Sequence, residues 1–218
     1  MLDSLTLSPT LKASLQEATA RYHADVYLAR EYLEDERGLS EHEAIDFQLG
    51  VVSDPIPGHE RFKGWLSIPY LTPAGVMAMK FRNLDLEASQ KYDGPAGQGV
   101  RLFNAQSLSN GGSVAVVCEG EFDAIAAQMA LSVPSVGAPG ASSWKPWWGR
   151  CFGDFDRVIV VGDNDVREDG SNPGKRGAEK VAKAIGQLAE VVLPPPGLDM
   201  TDWLNEHGVD AVRKALSL

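Results

Sequence analysis

Three short apolar runs in this chain each end in carboxylates. Val-Ala-Val-Val-Cys (114–118) leads into Glu119-Gly120-Glu121-Phe122-Asp123, and Val-Ile-Val-Val (158–161) leads into Gly162-Asp163-Asn164-Asp165. Val-Val-Leu (191–193) is followed by Pro-Pro-Pro-Gly and then by Asp199-Met200-Thr201-Asp202. If the three runs are parallel strands of one sheet, their C-terminal ends share an edge, where chemistry collects in such sheets. Glu119, Asp123, Asp163, Asp165, Asp199 and Asp202 then converge. That many carboxylates in one place repel one another unless a cation offsets them. Mg²⁺ or Mn²⁺ suits such a set, because hard cations take oxygen donors, and Mg²⁺ is content with one or two carboxylates plus water and phosphate. Asp-x-Asp in an extended turn aims alternate side chains the same way, and Glu119 and Asp123 stand one helical turn apart. Singly, each cluster also reads as acids capping helix N-termini. Three clusters after three apolar runs do not read that way.

The elements that must position these acids follow a βα rhythm. Strands are expected over 114–118, 134–137, 157–161 and 190–193. Helices are expected over 122–131, 177–188, 201–205 and 208–217. Strands alternating with helices predict a mostly parallel sheet covered on both faces. The first half has a different pattern. Leu11, Leu15, Ala18, Tyr22, Val26, Ala29 and Leu33 recur at helical steps, so residues 11–36 read as one or two helices ending at Gly38. Ser40 with Glu43 is a capping box for a short helix through Phe47. Residues 65–71 and 76–82 read as a hairpin turning at Thr72-Pro73-Ala74-Gly75, and residues 85–99 as loop. The domain boundary is expected at Asn110-Gly111-Gly112-Ser113, dividing a smaller α+β unit (1–110) from an α/β unit (111–218).

The 218 residues suffice for one large domain or two small ones, and the composition is that of a globular protein. No apolar run is long enough to span a bilayer, and the N-terminus lacks the pattern of a signal peptide. A net charge of −10 argues against passive binding of nucleic acid by phosphate neutralisation. It leaves open an acidic enzyme whose carboxylates hold a metal and whose basic residues are grouped elsewhere. Two cysteines, Cys118 and Cys151, make no zinc site by themselves and suit a reduced, cytoplasmic setting. His23, His42, His59 and His207 fall in polar contexts and read as surface residues. Gly174-Lys175-Arg176 lacks the spacing of a P-loop, so Lys175 and Arg176 read as solvated. Trp144, Trp147 and Trp148 cluster and are expected to be partly buried against the sheet rather than to stack bases.

The segments VVCEGEFDAIAA, VPSVGAPGAS and VIVVGDND together resemble the Toprim domain, which occurs in bacterial-type (DnaG-like) primases, topoisomerases and some nucleases. The likeness spans about 90 residues. It implies Glu119 as acid/base group, Asp163 and Asp165 as metal ligands, and Asp123 and the Asp199–Asp202 pair as further acids of the primase form. The sequence departs from the family after Asp165, where VREDGSNPGKRGAEK replaces a quick passage to glycine and helix. That puts any role of Asp169 in doubt, and variable spacing of the last acids does the same for Asp202.

Upstream, YLEDERGLSEHEAIDFQLGVV, WLSIPYLTPAGVMAMKFRNL and KYDGPAGQGVRLFNAQSL are similar to the N-terminal part of a primase catalytic core, over residues 27–108. The resemblance places Arg82, Lys91 and Tyr92, with Lys80 and Arg61 near them in sequence, on a basic surface facing template and nucleotide. Lys80 and Arg82 read equally as residues flanking an exposed strand. The resemblance as a whole implies nucleotidyl transfer: a DNA primase core making short RNA primers on single-stranded DNA from ribonucleoside triphosphates. A replicative helicase and a separate zinc-binding module are the implied partners, in a bacterial or phage-infected cytoplasm. A Toprim nuclease using the same site, and a non-catalytic nucleic-acid-binding module of a replisome, are the alternatives. Intact acids argue against the last.

Overall fold

The computed structural model describes residues 7–139 and 143–218. Gly140, Ala141 and Ser142, the end of the glycine-rich second Toprim-like segment, lie outside the described residues, as do residues 1–6. The chain divides into two units between Arg101 and Leu102.

In the first unit, α1 (Pro9–His23) starts where the Ser8 side chain accepts the Leu11 N–H, with Pro9 at the first helical position. Leu15, Ala18 and Tyr22 form its buried stripe, while Leu11 stays exposed. The stretch 11–36, expected to hold one or two helices, breaks at Ala24, the C-cap of α1. A 3₁₀ turn (Val26–Ala29) and a wider π turn (Tyr32–Glu36) follow, and Gly38 ends them at φ +61°. The change of pitch still buries Val26, Ala29 and Leu33, so the apolar spacing was informative although the helix is broken. The Ser40/Glu43 capping box is present and opens α2 (Glu41–Asp46).

An antiparallel sheet follows: β1 (Gly50–Val51), β2 (Leu66–Thr72), β3 (Gly75–Arg82) and β4 (Tyr92–Asp93), in that spatial order. The hairpin turns at Pro73-Ala74, with Thr72 paired to Gly75. Strand β4 lies in the stretch read as loop. It is too short to show alternation and exists because Tyr92 pairs with Arg82 across the ladder. Tyr22, Phe62, Met79 and Phe81 centre this unit's core.

The second unit is a four-stranded, wholly parallel sheet of β5 (Gly112–Cys118), β6 (Ser135–Gly137), β7 (Phe155–Val161) and β8 (Ala189–Val192), in the order β6-β5-β7-β8. Ala115, Val117, Val158 and Val160 bury one face beneath α4 (Pro173–Ile185) and the aromatic cluster. Val116, Cys118, Ile159 and Val161 alternate with them and are equally buried. Helix α3 (Glu121–Leu131) packs on β5 and β6 and against α5 (Met200–His207), and α6 (Val209–Ala215) closes the fold. Helix α4 begins four residues earlier than its apolar spacing suggests, because Asn172 caps the Lys175 N–H and Pro173 takes the first position. Trp144 and Trp148 are buried edge to face, as expected, while Trp147 is exposed.

The unit boundary falls nine residues before the expected glycine pair. Leu102 and Leu108 belong to the second unit's core, and Phe103 exchanges backbone hydrogen bonds with Gly137 at the sheet edge (3.0 and 3.3 Å). Gly111 leads directly into β5 and Gly112 is its first residue, paired with Phe155, so neither is a linker. Among the described residues no helix is long and apolar enough to cross a membrane.

Two of the four histidines depart from the surface reading. His59 is 6 % exposed, its Nδ1 is 2.9 Å from the Tyr22 hydroxyl, and its ring lies edge-on to Phe81. His23 is half-buried, with Nδ1 donating to the Leu49 carbonyl (2.7 Å). The polar residues around His59 in the sequence face outward, while the ring turns into an aromatic core built from distant segments.

Candidate active site

Parallel pairing decides how the acids meet. Strands β5 and β7 are adjacent and in register, Val117 opposite Val160, so they end at one level. Glu119 follows the first strand and Asp163 the second, on the same edge of the sheet. Strand β8 lies beside β7 and sends its loop back over the same edge to Asp199.

Asp163 is the centre of the resulting field. Burial, then Asp123, Glu119, Asp199 and Asp165 in that order, push its carboxyl up to about 8. Burial first, then Asp123, Asp163 and Asp199, hold the Cys118 thiol well above its ordinary range, so it stays neutral and unreactive. Glu119, Asp123, Asp163, Asp165 and Asp199 therefore share one neighbourhood. Asp202 is exposed on the first turn of α5 and is not among the charges acting on Asp163.

The five carboxylates differ in what else they do. Asp123 is buried, and its Oδ1 accepts from the Thr201 backbone N–H (3.2 Å) and Oγ1–H (2.7 Å), tying α3 to α5. Asp199 caps α5 by accepting the Asp202 N–H (2.8 Å). Glu119 and Asp163 are half-buried, and Asp165 is exposed. Among the described residues no group of three carboxylate, imidazole or thiol side chains is placed to hold a metal ion directly. The donor chemistry nevertheless suits a hard divalent cation. Every donor is an oxygen, and burial together with the repulsion of its neighbours keeps a proton on Asp163, of which a cation would relieve the repulsion. An ion that keeps several of its waters needs only one or two of these carboxylates.

Close backbone approach compacts the edge. A β-carbon on Gly174 would collide with the Asp163 backbone, and one on Gly137 would stand 2.7 Å from the Gly120 carbonyl oxygen. Asp169, in the segment that departs from the family pattern, is exposed and accepts the Ser171 N–H in a local turn. Lys175, in the first turn of α4, lies 4.0 Å from Glu179 with its side chain largely in solvent.

The basic residues of the first unit form a ladder of cations and rings. Lys80 Nζ is 4.4 Å from the Tyr92 ring centre, and the Arg82 guanidinium is 4.9 Å from Tyr92 and 5.7 Å from Tyr32. Arg37 also stands over Tyr32, 5.4 Å from its ring centre. Arg82 is only 4 % exposed, so it is not the surface cation that the strand pattern suggested. Pairing with β4 lays Tyr92 beside it, and among the described residues its Nε has no hydrogen-bond partner. Lys91 is exposed, and Arg61 is paired with Asp93 (2.9 Å).

Sequence reasoning passed over Thr201, Asn164, Asn172 and Gly174. Asn172-Pro173 carried a legible signal, a capping residue followed by proline. The others show their role only through partners far away in the chain.

A parallel sheet with acids on its C-terminal edge, preceded by an α+β unit with a four-stranded antiparallel sheet, is the fold of the DnaG primase catalytic core. The DnaG primase catalytic domain bound to single-stranded DNA superposes with a TM-score of 0.77 at 19 % identity, covering 95 % of this chain and 80 % of that one. The RNA polymerase domain of Mycobacterium tuberculosis DnaG in complex with double-stranded DNA gives 0.74 at 22 % identity, covering 96 % and 81 %. The Escherichia coli primase catalytic core gives 0.73 at 18 %, covering 95 % and 79 %. The chain belongs to the family of the Gene 57 protein of Mycobacterium phage D29, with which it is 32 % identical over 156 residues, 69 % of this chain and 97 % of that protein. No protein-family model matches it.

Proposed function

We propose that this chain is a primase catalytic core that joins ribonucleotides into short primers on single-stranded DNA by metal-dependent nucleotidyl transfer. One observation carries the reading: within this fold, four carboxylates crowd around Asp163 on the C-terminal edge of the parallel sheet. Asp163 and Asp165 are the proposed ligands of Mg²⁺ or Mn²⁺, with Asp199 beside them. When bound, such an ion would lower the charge barrier between the carboxylates and the phosphates of substrate.

The chain's own groups divide the remaining work. Glu119, half-buried beside Asp163, is the proposed acceptor of the proton lost by the attacking 3′-hydroxyl. That oxygen bonds to the α-phosphorus of the incoming nucleotide as pyrophosphate departs. Asp123 holds the first turn of α3 through Thr201 and so fixes the backbone that presents Glu119. Lys91, Lys80 and Arg61 are the proposed phosphate contacts, and Arg82 sets the Tyr92 ring from beneath. Single-stranded DNA and ribonucleoside triphosphates are the proposed substrates. Solved cores of this fold include one bound to single-stranded DNA, and an Aquifex aeolicus primase carries a zinc-binding domain beside its RNA polymerase domain. A separate zinc-binding module and a helicase are the partners this reading calls for.

The test is primer synthesis on single-stranded templates of varied sequence, with labelled ribonucleotides and Mg²⁺ or Mn²⁺. Short RNA products that vanish in Glu119→Gln support the reading. Template cleavage dependent on Glu119, without primers, replaces it with a nuclease.

A further inference from the structure

Asn164 sits between Asp163 and Asp165, and the sequence says nothing about it beyond that. In the structure all four of its polar groups are engaged. Its backbone N–H donates to the Leu198 carbonyl (3.1 Å), and its own carbonyl accepts the Gly197 N–H (2.9 Å). Its side-chain Nδ2 donates to the Pro194 carbonyl (2.7 Å), and its Oδ1 accepts from Asn172 Nδ2 (2.7 Å). Asn172 in turn accepts the Lys175 N–H and so caps α4. Three of the four bonds grip the loop that ends at Asp199, and the fourth grips the start of α4. Asn164 is half-buried, where these amide–carbonyl bonds are least exposed to competing water.

We propose that Asn164 is a positioning residue, a cross-brace that sets the Asp199 loop and the start of α4 against the Asp163–Asp165 turn. The inference rests on the proposed function in treating this edge as the metal site. The side chain does not have to touch the ion. Prolines at 194, 195 and 196 leave their loop short of N–H donors, so the carbonyl of Pro194 depends on a donor from elsewhere. An amide is the side chain that can donate to that carbonyl and accept from Asn172 at once. Serine lacks the reach, and aspartate lacks the donor.

The experiment uses the full chain with two readouts, amide hydrogen exchange and Mn²⁺ calorimetry. In Asn164→Ala, exchange over 197–200, the residues of this loop that carry amide protons, should speed up at least tenfold while β5 and α3 keep their protection. Mn²⁺ affinity should fall about tenfold, as when a residue that orients metal ligands is removed. Asn172→Ser is the second variant, for use if Asn164→Ala does not fold. It keeps a good helix cap but is too short to reach Asn164, so it should give smaller changes in the same two readouts. Combined with Asn164→Ala it should add little, because both remove the same bond. Unchanged exchange over 197–200 overturns the brace. Faster exchange with unaltered Mn²⁺ affinity overturns the positioning role. A wild-type chain that binds no Mn²⁺ defeats the metal reading instead, and exchange then decides the brace alone.

Discussion

Asp123 and Thr201 are 78 positions apart, yet one carboxylate oxygen accepts both the backbone and the hydroxyl proton of that threonine, at 3.2 and 2.7 Å. Both residues are buried. Thr201→Val keeps the shape and the backbone bond but removes the hydroxyl donor. A buried carboxylate that loses a donor costs about 1–3 kcal/mol. Urea unfolding should show a loss of that size, and Glu119-dependent activity should fall with it, since α3 loses one of the two hydrogen bonds that Asp123 makes to α5. A variant as stable as wild type would show that the hydroxyl bond is replaceable.

The backbone of Asp163 leaves no room for a β-carbon at Gly174. Gly174→Ala should therefore force α4 away from the end of β7 and destabilise the chain by about 1–3 kcal/mol, the usual cost of overpacking. Gly153→Ala is the control. Gly153 is exposed, has a helical φ, and its nearest neighbour would lie 3.6 Å from the new carbon. Its effect should stay within about 0.5 kcal/mol. Equal melting temperatures for the two variants would contradict the packing described.

The crowding around Asp163 predicts a pH dependence of definite sign. Folded and metal-free, Asp163 keeps its proton up to about 8, whereas the unfolded chain releases it near the ordinary value of 3.8. Between those values the folded state binds the extra proton, so this group's contribution to stability falls as pH rises. Wild type minus Asp163→Asn, followed by thermal melts in chelator from pH 5 to 8, isolates the effect and should slope downward. Mg²⁺ or Mn²⁺ binding must displace that proton, so affinity should rise with pH over the same range. An upward slope in the difference would mean that Asp163 is ionised at neutral pH without metal.

His59 contributes with the opposite sign. Burial lowers its pKa below 6.5, so it stays neutral in the fold while the unfolded chain takes up a proton as pH falls. The stability it supplies is present above about 6.5 and lost below. Tyr22→Phe removes the hydroxyl that meets both His59 Nδ1 and the Ile56 N–H. It should cost about 1–3 kcal/mol at pH 7 by leaving buried groups unpaired. An unchanged denaturation midpoint would show that other groups take over.

Substrate binding and chemistry should separate by residue. Lys91 is exposed and distant in sequence from the carboxylates around Asp163, so Lys91→Ala should weaken single-stranded DNA binding and flatten its salt dependence by about one phosphate contact. Mn²⁺ affinity should not move. Glu119→Gln should leave DNA binding intact and collapse turnover, as expected of a group needed in the transition state. Primer synthesis at the wild-type rate in both variants would place the active site elsewhere.

What the sequence determined by itself is the pattern of strands ending in acids. Strands buried on both faces must be apolar throughout, so Val114–Cys118 and Val158–Val161 stand out locally, and their carboxylates are the next residues along. The capping box at Ser40 and the hairpin at Pro73-Ala74 were legible for the same reason, since the partners lie within a few residues. The tertiary structure alone decided what depends on distant partners. Arg82 and His59 carry polar side chains in polar surroundings along the chain, yet Tyr92, Tyr32 and Phe81 fold over them. Asp123 takes its bonds from Thr201, and Asn164 takes its bonds from Pro194, Gly197, Leu198 and Asn172. A periodicity reports which face of an element is buried. Which residue lies against that face is set by the order β6-β5-β7-β8 and by the loops crossing its edge, and neither leaves a local trace in the sequence.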